Sequence, residues 1–110
     1  MATLDLGGEK RVRSLSLGCL QRYADWVFMP VEVRFETSTD GVTFHEAATL
    51  QDPIGPEQRN STIHEFRAAF SPVMARYVRV TARARPEGCP KGHPGEGKPG
   101  WIFADELVVD

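Results

Sequence analysis

The stretch Pro30–Phe44, PVEVRFETSTDGVTF, decides the fold. Its side chains alternate between two faces: Val31, Val33, Phe35 and Thr37 on one, and Glu32, Arg34, Glu36 and Ser38 on the other. A period of two is typical of a strand with one buried and one solvated face. Asp40-Gly41 predicts a tight turn, because glycine accepts a positive φ, and Val42 and Phe44 resume the alternation on a return strand. Since a hairpin cannot bury its apolar face alone, the rest of the chain must supply a covering sheet.

Further strands are predicted on both sides of this hairpin, over Ala2–Leu6, Lys10–Leu20, Thr62–Phe70, Ala75–Arg85 and Trp101–Val109. Gly7-Gly8 and Ser71-Pro72 are predicted to separate consecutive strands. Val12 is out of phase with Leu15, which indicates a bulge in the second strand. No linker or internal repeat occurs, so residues 1–110 are predicted to form a single all-β domain, an antiparallel β-sandwich of six to seven short strands.

Composition limits the partners. Thirteen basic and fifteen acidic residues give a net charge of −2, which favours neither nucleic acid nor an anionic membrane. No apolar run approaches the roughly 18–20 residues that span a bilayer, and we expect no secretion signal in this sequence because MATLDLGGEK has no apolar targeting core. We therefore expect no nucleic-acid and no membrane partner. Cys19 and Cys89 either form one disulfide or remain two buried thiols, and the spacing leaves both possibilities open.

The sequence gives no sign of catalysis. It lacks a nucleophile elbow, a zinc-protease motif and a glycine-rich phosphate loop. The three histidines stand apart from any nucleophile, and the neighbours Asp105 and Glu106 face opposite sides of their strand. We expect a non-catalytic domain without a cofactor or a bound metal.

A sugar-binding site is the sharper hypothesis, because sugars are held by aromatic faces together with charged or amide side chains. Loops at the end of a sandwich usually carry such sites. The predicted ligand-binding residues are Arg22, Tyr23, Asp25, Trp26 and His93. Trp26 also fits as a plug at the end of the core, and His93 also fits as a residue that hydrogen-bonds its own loop.

Two further residue groups have structural interpretations. Trp101 opens an apolar strand and is predicted to pack in the core. Arg79, Arg83 and Arg85 form an outward row, which we expect to be a solvated face paired with acids such as Glu32 and Glu36.

The order of several short motifs resembles one family. DLG at Asp5–Gly7 is followed by WVFMP at Trp26–Pro30, S-x-DG-x-x-F at Ser38–Phe44, ARYVRV at Ala75–Val80 and WIFADELVV at the end. This order resembles the discoidin, or coagulation-factor type C, domain, a galactose-binding-like β-sandwich. The stretch Cys89–Gly97 before W-x-F-x-D-E is similar to the C-terminal module of bacterial family-20 β-N-acetylhexosaminidases (chitobiase-like enzymes).

The resemblance implies a role and a location. It implies an accessory carbohydrate-binding-type module that contacts N-acetylhexosamine or galactose-type glycans and the catalytic domain of its parent enzyme. It implies a periplasmic, outer-membrane-associated or extracellular location. A structural or protein-docking module without a sugar site is the alternative. Relative to the family the chain is expected to be truncated at its N-terminus, and Glu106 is the one position that matches a ligand of the family's structural calcium. One carboxylate supplies too few oxygens for calcium, so no calcium site is expected.

Overall fold

The computed structural model describes all 110 residues and contains five β-strands and no α-helix. The strands are β1 (Ala2–Gln21), β2 (Glu32–Ser38), β3 (His45–Gln51), β4 (Thr62–Arg83) and β5 (Phe103–Val109). They form one antiparallel sheet in the order β3-β2-β4-β1-β5. A single 3-10 turn, Tyr23–Asp25, follows β1. No helix is long and apolar enough to cross a membrane.

The two long strands turn this sheet into a sandwich. A straight strand of 22 residues would measure about 70 Å at roughly 3.3 Å per residue, but the longest dimension of the domain is 47 Å. Both strands bend where their register shifts, between Asp5 and Lys10 and between Val12 and Ser14 of β1. The early part of β1 and the late part of β4 lie with β2 and β3 in a four-stranded half. The late part of β1 and the early part of β4 lie with β5 in a three-stranded half.

The core lies between the two halves. Val33 and Phe35 of the four-stranded half are fully buried, and they share one apolar cluster with Leu15, Leu17 and Phe66 of the three-stranded half. The period-two pattern of the sequence predicts that these residues are buried, because every second side chain of a strand lies on the same face. The prediction of an antiparallel β-sandwich is confirmed. The two bent strands each count twice, which accounts for seven strand segments in five continuous strands.

The predicted hairpin is largely right in its first strand and wrong in its turn. Val33, Phe35 and Thr37 are buried as expected, but Ser38, predicted on the solvated face, is only 3% exposed, because its hydroxyl turns into the loop and accepts from the backbone N–H groups of Asp40 and Gly41. Gly41 has a φ of +78°. The return strand, however, begins only at His45, and Val42 is 84% exposed. Asp40 causes the longer loop, because its carboxylate accepts hydrogen bonds from the backbone N–H groups of Val42 and Thr43 at 2.8 and 2.9 Å and holds them out of the ladder.

Two predicted strand breaks are also wrong. Gly7-Gly8 lies within β1, and Ser71-Pro72 lies within β4. Both pairs fall in the stretches where the register of β1 against β4 shifts, so they bend strands without ending them. The bulge predicted from the phase of Val12 is confirmed by the register shift between Val12 and Ser14.

Two expectations about single residues need correction. Trp101 is 71% exposed and lies before the start of β5, so it does not pack in the core. Arg79 pairs with Glu36 through two hydrogen bonds of 3.0 Å, as expected for an outward row. Arg85 lies beyond the end of β4 and is mostly buried against Asp52, so it does not belong to that row. Cys19 and Cys89 are free, buried thiols.

Candidate functional site

Three loops meet at one end of the sandwich, and we call this end the loop end. They are residues 22–31, between β1 and β2; residues 52–61, between β3 and β4; and residues 84–102, between β4 and β5. Predicted site residues occur in the first and the third of these loops. In the three-stranded half the end of β1 lies beside the starts of β4 and β5, and in the four-stranded half the start of β2 lies beside the ends of β3 and β4. The bends of β1 and β4 bring these two edges to the same end of the sandwich.

Gln21 joins two of the loops from the last position of β1. Its side chain is fully buried. The amide Nε2 donates to the carbonyl oxygens of Gly55 and Gln58 at 3.0 and 3.1 Å, and Oε1 accepts from the backbone N–H of Met29 at 3.1 Å. An amide is suited to this position because it donates and accepts at the same time. Sequence reasoning missed Gln21, whose only signal is a polar residue in the last position of an apolar strand.

His93 joins the first and third loops. Its ring is 4% exposed and lies edge-on to the rings of Tyr23, Trp26 and Phe28, with centroids 4.6, 5.5 and 5.5 Å away. Nδ1 accepts from the backbone N–H of Gly95 at 2.9 Å, and Nε2 lies 2.8 Å from the carbonyl oxygen of Tyr23. Both contacts are hydrogen bonds only if the proton is on Nε2. His93 thus makes the bond to its own loop that the sequence allowed, and neither ring nitrogen is left for a ligand.

Trp26 fixes the path of the same two loops through its backbone and its ring. It adopts the left-handed conformation, with φ 62°. Its carbonyl oxygen accepts from the N–H of Trp101 at 2.7 Å, and the carbonyl of Trp101 accepts from the N–H of Phe28 at 2.9 Å. A Cβ on Gly95 would lie 2.6 Å from the ring of Trp26, so glycine is required for this close approach. Trp26 is partly buried and packs against the buried cluster of Tyr23, Phe28 and Cys89.

Arg22 and Asp25 are the exposed members of the predicted set. Their side chains are 55% and 56% exposed, and Arg22 Nε lies 3.3 Å from Asp25 Oδ2 across the 3-10 turn. Tyr23 points inward between them and is buried. Arg59 of the second loop lies over the ring of Tyr23, 5.1 Å from its centroid, and was not predicted. The structure therefore brings all five predicted residues to one place but exposes the polar groups of only two.

Asp52 and Arg85 tie the second loop to the third. The Asp52 carboxylate accepts from the backbone N–H groups of Ile54 and Gly55 at 2.8 and 3.2 Å and also contacts Arg85 Nη2. Its side chain is 2% exposed and that of Arg85 14% exposed. An aspartate directly before Pro53 is a turn signal that could have identified this bend, but its arginine partner lies 33 positions away.

The residues of this chain do not form the structural calcium site that the family resemblance implies. Glu106 is exposed on β5. No group of three or more His, Cys, Asp or Glu side chains is arranged so that it could hold a metal ion.

The comparison with known families agrees with this architecture. The family model of the F5/8 type C domain matches residues 1–94, which include β1 to β4 and most of the loop end. No curated protein gives a significant match. The match covers most of the sandwich and the loops that meet at its end, and the chain belongs to the F5/8 type C, or discoidin, domain family.

Proposed function

We propose that this discoidin domain is a non-catalytic carbohydrate-binding module that contacts glycans through its loop end. We extend the proposal to its setting: an accessory module of an exported bacterial glycoside hydrolase of the β-N-acetylhexosaminidase type, acting in the periplasm, at the outer membrane or outside the cell. The extension rests on the resemblance of Cys89–Gly97 and the last strand to that subgroup.

One observation carries the glycan hypothesis. Arg22 and Asp25 stand exposed next to the partly buried Trp26, and buried groups hold the backbone beneath them. His93 and Gln21 supply that support through hydrogen bonds to main-chain atoms. A charged pair next to an aromatic face, held on a rigid base, suits the hydroxyl and C–H surfaces of a sugar.

Weak binding is sufficient for such a role. A module tethered to an enzyme raises the local concentration of that enzyme at a polymeric substrate even when single-site affinity is low. We therefore expect dissociation constants in about the millimolar range for single sugars, and tighter binding only for longer oligosaccharides.

A protein-docking role is the second candidate, and a different surface favours it. Leu20, Ile63 and Phe103 are in register on β1, β4 and β5, so their side chains share the outer face of the three-stranded half. Ile63 is 75% exposed and Phe103 53% exposed. Adjacent exposed apolar side chains are more typical of a contact with another protein surface than of a sugar site.

An NMR titration of the labelled domain tests the glycan proposal. The sugars are N-acetylglucosamine, galactose and chito-oligosaccharides, and we expect saturable shifts confined to the three loops of the loop end. Arg22→Ala should weaken binding at least about fivefold, since it removes a charged hydrogen-bond donor. The matched control is Arg34→Ala, which removes a similarly exposed arginine that pairs with Glu46 at 3.5 Å on β2 and β3 and belongs to none of the three loops. Absence of any shift at millimolar sugar would reject the proposal and leave the docking role.

A further inference from the structure

We infer that the cleft between Trp101 and Arg85 is a subsite for the acetamido group of an N-acetylhexosamine. This inference rests on the proposed function, because it names the sugar class that the loop end would select. It also assigns a role to two residues that sequence reasoning placed elsewhere: Trp101 in the core and Arg85 in a solvated basic row.

The cleft lies where the third loop crosses the first. It is lined mainly by apolar and glycine residues, among them Phe28, Ala84, Gly88, Gly100 and Trp101, together with Arg85. Gly88 and Gly100 allow neighbouring chain segments to pack closely at its wall, since a Cβ on Gly100 would lie 2.7 Å from the ring of Phe28. The cleft shares Phe28 with the cluster around His93, so it belongs to the same loop end as Arg22 and Trp26.

The size of the cleft selects a small group. Its volume is about 50 Å³. Since a single water needs roughly 10–15 Å³, the cleft holds about three or four atoms of that size. A hexose ring does not fit inside. An acetamido group, with one methyl carbon, one carbonyl carbon, one oxygen and one nitrogen, matches this volume.

The chemistry of the lining matches both ends of that group. Apolar walls suit the methyl. Arg85 lines the cleft with a side chain that is 14% exposed; its Nη2 contacts Asp52, and its Nη1 lies 3.5 Å from Glu87. Each of these two nitrogens carries a second N–H, and such a charged donor would bond the carbonyl oxygen of an acetamido group.

Trp101 supplies the surface for the sugar ring. Its indole lines the cleft and is 71% exposed, while its backbone is fixed by hydrogen bonds to Trp26 and Phe28. An exposed aromatic ring on a fixed backbone is suited to stacking against the C–H face of a pyranose. With the acetamido group in the cleft, the ring of the same sugar would lie against this indole.

The test compares sugars that differ only in the acetamido group: N-acetylglucosamine against glucose, and N-acetylgalactosamine against galactose. The readout is the indole N–H signal of Trp101, assigned by its loss in Trp101→Ala. We expect that signal to move with the N-acetyl sugars, with dissociation constants about tenfold lower than for glucose and galactose.

Two variants and their controls complete the test. Trp101→Ala and the cleft-filling Ala84→Leu should each remove the preference for N-acetyl sugars. Phe103→Ala, which removes an exposed aromatic ring outside the cleft, and Ala69→Leu, which enlarges an exposed alanine on β4, should keep it. Saturable binding with equal affinity for both members of each pair would overturn the subsite and leave the glycan proposal intact. Absence of binding by any sugar would overturn both.

Discussion

The core between the two halves and the loop end are stabilised by different interactions. In the core, apolar side chains from both halves interlock in one cluster. At the loop end the apolar cluster is small, Tyr23, Phe28 and Cys89, and the loops are fixed mainly by Gln21, His93 and the Asp52–Arg85 pair. In the core, a substitution should therefore lower the free energy of unfolding in proportion to the side-chain volume that it removes. At the loop end, stability depends instead on a few polar groups, each of which has several hydrogen-bond partners.

This difference separates stability from binding. Because a few buried hydrogen bonds fix the loops, substitutions in the loops can alter which ligand the site binds without disturbing the packing of the sandwich beneath. Substitutions in the two regions should therefore have separable effects, one on global unfolding and the other on the order of the loops.

The largest effect is expected from Phe35→Ala, which empties a fully buried position in the core. It should lower the free energy of unfolding by about 3–5 kcal/mol, because the transfer free energy of the ring is lost and a cavity remains. Urea unfolding followed by circular dichroism measures this change. Val42→Ala, at an exposed position of the loop after β2, is the control and should change stability by less than about 0.5 kcal/mol. A small effect at Phe35 would mean that the two halves do not pack face to face.

Gln21→Leu should cost about 2–3 kcal/mol, since it leaves the N–H of Met29 and two loop carbonyls without partners. Its distinguishing consequence is local: amide exchange should accelerate in residues 22–31 and 52–61 while Phe35 and Phe66 stay protected. Gln51→Leu is the matched control, because this glutamine is exposed and only reaches Glu32 at 3.4 Å. Uniform acceleration over the whole sheet would show that the loop end and the core unfold as one unit.

The core could be predicted from the sequence, whereas the contacts of the loop end could not. The alternation in Pro30–Phe44 identifies Val33 and Phe35 as core residues, because burial on a strand repeats locally in sequence. The contacts of the loop end have no local repeat: Gln21 and Gln58 are 37 positions apart, and Tyr23 and His93 are 70 apart. The composition of the loops indicated where a site could lie, but it could not show that His93 is buried or that Trp101 is exposed. Those outcomes depend on which backbone groups remain unpaired after the sheet has formed.

The two thiols report on the two regions separately. Cys19 lies in the core, where burial raises its pKa to about 11, and Cys89 lies in the small cluster of the loop end. Both should react slowly with a thiol reagent at pH 8, since neither is accessible in the folded protein. We expect Cys89 to react at least about tenfold faster than Cys19, because opening of the loops costs less free energy than global unfolding. Peptide mapping by mass spectrometry assigns the two rates, and equal rates would contradict independent opening of the loop end.

The smallest effect concerns the loop between β2 and β3, at the end of the sandwich opposite the loop end. Hydrogen bonds from the backbone N–H groups of Val42 and Thr43 and from the Ser38 hydroxyl lower the pKa of Asp40 from 3.8 to about 2. A lowered pKa means that the charged carboxylate stabilises the folded state. This contribution is complete above pH 3.8 and is lost as the pH falls through about 2.

Asp40→Asn tests this loop, because the amide keeps an acceptor oxygen but removes the charge. The wild type should be slightly more stable than the variant at pH 6, and the difference should shrink as the pH falls from about 4 toward 2. In the wild type, the NMR signal of the Asp40 carboxyl carbon should titrate with a midpoint near pH 2. A midpoint at 3.8 would mean that the two backbone bonds are not maintained in solution. In that case the late start of β3 would need another cause, and Val42 and Phe44 would be free to extend the ladder as their alternation predicts.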